Sequence, residues 1–200
     1  MKKILAIGAH CDDIELGCGA TLAKLIEEGA EVKYIAFSIC KIDSLADECY
    51  RATKELGIRE AEILFFSHRT LHERRQDVLG RLIEFRDSFK PDTIFTHSSA
   101  SIHQDHQVVH QESIRAFKGS VNIFGYEDSW NYIQQEQELN CLSQISEAHL
   151  ETKIRALSHY KSQSHRAYMN PDFIRSLAVV RGVQFGLQLA EAMSVIRTTG

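Results

Sequence analysis

Short apolar runs alternate along the chain with longer segments in which apolar residues recur every three or four positions. The first run, Ile4-Leu5-Ala6-Ile7, is continuous, which is typical of a parallel strand buried on both faces. The pattern predicts strands over residues 3–8, 31–37, 62–66, 93–96 and 121–126. It predicts helices over residues 19–29, 44–56, 73–89, 104–117, 147–161 and 171–195.

This alternation of strands and helices determines the expected fold class. Each predicted strand is separated from the next by a dozen residues or more, so the strands are expected to run parallel with right-handed helical crossovers. The prediction is an α/β, Rossmann-like three-layer sandwich with a mostly parallel sheet in the order 3-2-1-4-5. After about residue 127 the rhythm of strands is lost, and we expect this part to wrap the sheet edge or the site. Residues 1–200 are expected to form a single domain.

A dense polar cluster follows the first predicted strand: His10, Cys11, Asp12 and Asp13, with Glu15 close behind. Ligands bind at the carboxyl ends of the strands in a parallel sheet, and polar groups crowded there need hydrogen bonds, charged partners or a metal. His10 and Asp13 suit a cation such as zinc, which leaves Asp12 as a base. The alternative is an ordinary turn in which an aspartate caps the next helix. Cys11 either fills this turn or joins the ligands.

A second polar cluster, residues 97–106, follows the fourth predicted strand and contains His103, Asp105 and His106. If the fourth strand lies beside the first, His106 comes within reach of His10 and Asp13. Three protein ligands with an open fourth position are what a catalytic zinc site requires. His110, one turn further on, is interpreted as a helix cap or a surface residue.

Composition and charge exclude several classes of protein. The 23 Lys and Arg residues against 27 Asp and Glu give a formal charge of -4, which argues against a nucleic-acid partner. No apolar run approaches the roughly 18 residues of a transmembrane helix. The apolar stretch at the N-terminus is interrupted at His10, too early for a signal peptide. The five cysteines form no C-x-x-C pair and indicate reduced thiols, so a cytoplasmic location is expected.

The two clusters together resemble a known family. The string A-H-C-D-D-I-E-L-G at residues 9–17, with I-H-Q-D-H at residues 102–106, is similar to the PIG-L/LmbE family of zinc-dependent de-N-acetylases. The resemblance covers most of the chain and continues in shorter segments: Leu56-Gly57, Lys90-Pro91-Asp92, Tyr126-Glu127, residues 153–157, Ser162-Gln163, Arg181-Gly182 and Ala190-Glu191.

The resemblance implies a reaction and a role for each of six residues. The reaction would be metal-dependent hydrolysis that removes acetyl from an N-acetylated amino sugar of the N-acetylglucosamine type, or from a related amide. The cofactor would be Zn²⁺, although the same ligands also accept Fe²⁺ or Co²⁺. Homo-oligomers occur in the family, and assembly stays open for this chain. The implied roles are metal ligation by His10, Asp13 and His106, general base catalysis by Asp12, and acid catalysis or oxyanion stabilisation by His103, which Asp105 would orient and keep protonated.

Two positions depart from the family pattern. Cys11 stands where the family commonly has Pro, and Leu45 stands near the position where it often has an Arg that contacts the sugar. The substrate-binding residues are therefore not assigned from the sequence. Candidates for the mouth of the site, with packing or surface positions as the alternative, are Trp130, Tyr132, His159 and Arg166.

The sequence allows two other functions. A Rossmann-like nucleotide-binding module is disfavoured because Gly8, Gly17 and Gly19 do not form G-x-G-x-x-G, and adjacent aspartates would repel a pyrophosphate. A metal-binding protein without deacetylase activity is the other alternative, since Leu45 would weaken the capture of a sugar.

Overall fold

The computed structural model describes residues 1–39, 44–119, 121–131 and 138–199. Its strands are β1 (Lys3–His10), β2 (Glu31–Ile39), β3 (Glu60–Ser67), β4 (Thr93–His97), β5 (Asn122–Tyr126), β6 (Cys141–Gln144) and β7 (Ala190–Arg197). Its α-helices are α1 (Asp13–Glu27), α2 (Leu45–Glu55), α3 (Arg75–Phe89), α4 (Gln104–Ala116), α5 (Glu147–Leu157) and α6 (Pro171–Gln184). None of the helices in these ranges is both long and apolar enough to span a bilayer.

The strands form one seven-stranded sheet in the order β3-β2-β1-β4-β5-β7-β6. The pairings from β3 to β5 are parallel, which confirms the predicted α/β class and the predicted order 3-2-1-4-5. Strand β1 lies between β2 and β4. The strands β2 and β3 therefore extend the sheet on one side of β1, and β4 and β5 extend it on the other side. The ends of β1 and β4 are therefore neighbours at the switch point of the sheet.

The C-terminal part of the sheet differs from the prediction. The helix predicted over residues 171–195 ends at Gln184, and Ala190–Arg197 is a strand that pairs antiparallel with both β5 and β6. The chain reverses at Gly186, whose φ of 73° suits glycine. Gly182 allows close packing after this turn, since a Cβ at that position would lie 2.5 Å from the carbonyl oxygen of Gln188.

The hydrophobic core lies on both faces of the sheet, as the continuous apolar runs predicted. Ile4 and Ala6 of β1 pack on one face in a cluster that includes residues of α1, α2, α5 and α6. Leu5 and Ile7 pack on the other face with residues of α3 and α4. Helices thus cover both sides of the parallel strands, and the site is left at their carboxyl ends.

Helix α1 begins six residues before the start predicted for it, directly after Asp12, and it is kinked at Cys18. The carboxylate of Glu191 accepts hydrogen bonds from the backbone N–H groups of Ala20 (3.2 Å) and Thr21 (2.6 Å), so it caps the second half of the helix. Lys153 pairs with Glu191 and donates to the carbonyl of Leu16, each at 2.6 Å. This buried ion pair satisfies the backbone groups exposed by the kink.

Candidate metal centre and active site

The two polar clusters of the sequence meet at the switch point. His10 is the last residue of β1, and Asp13 is the first residue of α1. His106 lies in the first turn of α4, which follows β4 and is capped at its N-terminus by the ring of His103. Because β1 and β4 are adjacent, the turn after β1 and the start of α4 face each other across one pocket.

Two ring nitrogens and the carboxylate of Asp13 converge at almost equal separations. His10 Nδ1 lies 3.2 Å from His106 Nε2 and 3.3 Å from Asp13 Oδ2, and His106 Nε2 lies 3.3 Å from Asp13 Oδ1. Tetrahedral ligands at about 2.0–2.1 Å from a zinc ion are roughly 3.3–3.4 Å apart. The spacing of these three side chains therefore fits a single tetrahedral cation.

The other nitrogen of each imidazole binds a carboxylate. His10 Nε2 lies 3.0 Å from Asp105 Oδ2, and His106 Nδ1 lies 2.7 Å from Asp128 Oδ2. When these nitrogens carry the protons, the lone pairs of His10 Nδ1 and His106 Nε2 point at each other and repel unless a proton or a cation lies between them. Histidine ligands of metals commonly have this second contact to a carboxylate. The donor set therefore fits a bound cation.

The electrostatics of the cluster also favour a cation. Burial by itself would lower the pKa of His106, but the Asp13 charge and the hydrogen bond to Asp128 raise it to about 10. Burial by itself would raise the pKa of Asp13, but the charges of His106, His97 and His10 hold it well below its usual range. The carboxylates thus create a negative potential at the point where the three ligand side chains converge.

Asp12 lines the same pocket and has a different environment from Asp13. Its backbone is left-handed, with φ of 89°, an uncommon conformation for a residue other than glycine. Within the described ranges its carboxylate forms no hydrogen bond or ion pair. Burial, followed by the neighbouring Asp13 charge, raises the pKa of Asp12 well above its usual value. Asp12 therefore combines access to the pocket with increased basicity.

The predicted relation between Asp105 and His103 is wrong. The carboxylate of Asp105 binds His10 and the backbone N–H groups of Arg69 (2.7 Å) and Leu71 (3.2 Å) instead. Its backbone N–H donates to His103 Nδ1 at 3.2 Å. Burial, and then the charges of the neighbouring imidazoles, lower the pKa of His103 to about 4, so His103 is neutral rather than held protonated.

An open pocket of about 210 Å³ surrounds these residues. We define its floor as the buried lining residues His10, Cys11, Asp12, Asp13, Leu45, His106 and Gln163. We define its mouth as the half-buried or exposed lining residues His68, Arg69, His103, Trp130, Asn131, Arg166 and Tyr168.

The candidates for the mouth of the site divide into three groups. Trp130 and Arg166 line the pocket, whereas His159 does not and lies with its Nε2 3.8 Å from an oxygen of Glu55. Tyr132 lies outside the described residues. Leu45 lines the pocket and contributes only an apolar surface where the family often has Arg.

Several residues have contacts that the sequence did not predict. His68 follows β3 and its ring centroid lies 4.8 Å from that of His10, while Asp128 follows β5. His68 and Asp128 each follow a strand that ends at the same edge of the sheet, and this position was the feature of the sequence that could have identified them.

His110 is buried and its Nδ1 lies 2.7 Å from the carbonyl oxygen of His97, so its interpretation as a cap or surface residue is wrong. Cys11 belongs to none of the potential ligand clusters in the described part of the chain.

Comparison with protein families gives one match over residues 5–117, to the family described as "PIG-L: GlcNAc-PI de-N-acetylase". The matched range contains both polar clusters. A protein of Escherichia coli (strain K12) called "Uncharacterized deacetylase YaiS" is 32% identical over 171 residues, which cover 80% of this chain and 91% of that protein.

Solved structures of similar fold include proteins with different chemistry. N,N'-diacetylchitobiose deacetylase from Pyrococcus horikoshii aligns with a TM-score of 0.73 at 21% identity, covering 98% of this chain and 84% of that chain. GalB, the 4-carboxy-2-hydroxymuconate hydratase from Pseudomonas putida KT2440, aligns with a TM-score of 0.82 at 18% identity. The alignment covers 100% of this chain and 99% of that chain. At these identities the likeness establishes the fold alone, so the reaction has to be argued from the site.

Proposed function

Since the chain belongs to the PIG-L family of de-N-acetylases, we propose that it is a metal-dependent hydrolase that removes the acetyl group from an N-acetylated amino sugar. His10, Asp13 and His106 are the proposed ligands, and Zn²⁺ is the proposed ion. The observation that supports this most is that His10 Nδ1 and His106 Nε2 lie 3.2 Å apart and that each lies 3.3 Å from one oxygen of the Asp13 carboxylate. The accessible carboxylate of Asp12 in the same pocket supplies the remaining requirement, a base.

A bound Zn²⁺ would lower the pKa of a water ligand towards about 7 and polarise the amide carbonyl. Asp12 accepts a proton from the attacking water, since its carboxylate has no competing partner within the described residues. As the C–O bond forms and the C–N bond breaks, the amine gains the proton that the water lost. The second proton of the water is released when the acetic acid ionises, so the products are acetate and the protonated amine.

His103 is the proposed hydrogen-bond donor to the developing oxyanion. Its Nδ1 accepts the backbone N–H of Asp105, so the ring proton resides on Nε2. A neutral imidazole that donates from Nε2 stabilises negative charge on the former carbonyl oxygen, and one such donor contributes roughly 10²- to 10³-fold to turnover. This differs from the protonated imidazolium expected from the sequence.

The proposal is tested by metal analysis of the purified protein and by acetate release from N-acetylglucosamine derivatives. Asp12→Ala should retain the metal and lose about 10²- to 10⁴-fold in turnover, because the base is removed while the ligands remain. His106→Ala should lose both metal and activity. Asp87→Ala is the control, because Asp87 lies exposed on α3 outside the pocket.

The rival function is metal binding without deacetylation, which the apolar Leu45 in the pocket lining favours. A full complement of metal with no acetate release from any N-acetyl sugar would support this rival. Unaltered turnover in Asp12→Ala or His106→Ala would refute the assigned roles.

A further inference from the structure

The mouth of the pocket carries two positive charges and no negative one among its described residues. Arg69 comes from the loop after β3, and Arg166 precedes the short helical turn Ala167–Met169. Both side chains are exposed, and neither forms an ion pair with a carboxylate in the described part of the chain. The whole protein is acidic, with a formal charge of -4, so this positive region is local.

Arg69 has an unusual backbone. Its φ of 64° is left-handed, a conformation that is strained for a residue with a side chain. Asp105 holds it there by accepting its N–H at 2.7 Å, and Gln104 Nε2 donates to its carbonyl at 2.6 Å. Glycine would relieve this strain, yet an arginine stands at the pocket. The same Asp105 carboxylate also contacts His10, so the Arg69 backbone is fixed relative to the proposed metal ligands.

Arg166 is held by aromatic neighbours. One terminal nitrogen of its guanidinium donates to the hydroxyl of Tyr168 at 2.6 Å, and the ring of Tyr168 lies 5.5 Å from that of Trp130. Arg166 and Asp12 line the same pocket.

The proposed ion on the floor of the pocket would be occupied by the acetamido group, and the carboxylates of Asp12 and Asp13 would repel a further anionic group of the substrate beside them. Such a group could bind at the mouth, where guanidinium groups are well suited to phosphates and carboxylates. We propose that Arg69 and Arg166 form an anion subsite, and that the preferred substrate is an N-acetylated amino sugar carrying a phosphate or carboxylate group. This inference rests on the proposed deacetylation and specifies the class of its substrate.

The test compares kcat/KM for acetate release from neutral and anionic substrates. The neutral ones are N-acetylglucosamine and its methyl glycoside, and the anionic ones are its 1-phosphate, its 6-phosphate and the carboxylate-bearing N-acetylmuramic acid. We expect a preference of about tenfold or more for at least one anionic substrate, mainly through a lower KM. The preference should weaken between 0.05 M and 0.5 M NaCl, because exposed charges are screened within about 10 Å at 0.1 M salt.

Arg69→Gln and Arg166→Gln should each reduce this preference about three- to tenfold, and the double variant should bring the ratio close to one. Arg51→Gln is the matched control, since the Arg51 Nε donates to the Asp47 carbonyl on its own helix and its side chain does not line the pocket. Equal kcat/KM for neutral and anionic substrates, or a preference that survives the double variant, would overturn the subsite.

A second measurement separates this inference from the deacetylation itself. Calorimetric binding of the phosphate sugars and of N-acetylglucosamine to the metal-loaded Asp12→Asn protein reports the subsite without turnover. Tighter binding of a phosphate sugar that is lost in Arg69→Gln/Arg166→Gln would support the subsite even if no acetate is released. Acetate release without any anionic preference would leave the proposed function standing and refute the subsite.

Discussion

At the residue scale, the candidate centre depends on which ring nitrogens are protonated. Asp128 Oδ2 accepts from His106 Nδ1 at 2.7 Å and also binds the hydroxyl of Ser101. This carboxylate fixes the tautomer that leaves His106 Nε2 free to ligate. It is buried to 1% exposure and comes from the segment after β5, far in sequence from the ligands. Its role in metal affinity can be tested separately from catalysis.

Asp128→Asn is expected to weaken Zn²⁺ binding by about 10- to 100-fold, because a neutral amide orients the imidazole less strongly and lowers its basicity. Competition with a chromophoric chelator measures the affinity. Asp77→Asn on the exposed side of α3 is the control. An affinity within twofold of the unaltered protein, in a variant with an unchanged circular dichroism spectrum, would exclude this orienting role.

At the scale of elements, the position of α1 depends on the absence of a side chain at Gly17. A Cβ there would lie 2.2 Å from the Cδ2 atom of Tyr126. Tyr126 cannot easily give way, since its hydroxyl donates to the carbonyl of Ile7 at 3.0 Å and its ring packs against that of His97. Gly17 also stands one turn after Asp13, so any displacement of this helix moves a proposed ligand.

Gly17→Ala should therefore destabilise the protein by about 1–3 kcal/mol, despite the higher helix propensity of alanine. It should also weaken metal binding. Gly80→Ala is a matched control on α3, where a Cβ meets nothing within 4 Å and stability should rise by about 0.5–1 kcal/mol. Urea unfolding measures both variants. Equal effects of the two substitutions would contradict the close contact with Tyr126.

At the scale of the whole molecule, the N-terminal half was more predictable than the C-terminal half. The first five strands are continuous apolar runs between helices, and local pattern alone determines such elements. Strand β7 was not predicted because Ala190 and its neighbours follow helix α6 after only a short turn. Strand β6 was not predicted because Cys141–Gln144 is an edge strand of only four residues. Both depend on pairing that sequence periodicity does not encode.

The candidate site, like the fold, could be predicted only in part from the sequence. Adjacent polar residues after predicted strands drew attention to both clusters, and the sheet order explained why they would meet. The hydrogen-bond partners were less predictable. Asp105 contacts His10 rather than His103, and Asp128 contacts His106 from a different loop, because these choices depend on side-chain directions within an assembled pocket.

The residues of the candidate centre come from β1, α1 and α4, so a bound ion would join all three elements at one point. A ligand that binds only the folded state stabilises it by about 2.7 kcal/mol at one hundred times its Kd. For a chain of 200 residues this corresponds to a rise in Tm of roughly 5–10 °C. Removal of metal with a chelator should therefore lower Tm by this amount, and Zn²⁺ should restore it. His106→Ala should have a Tm that neither treatment changes, because its centre has lost a ligand, whereas Asp12→Ala should respond like the unaltered protein. A Tm of the unaltered protein that is insensitive to both treatments would mean that the three converging side chains do not bind a cation.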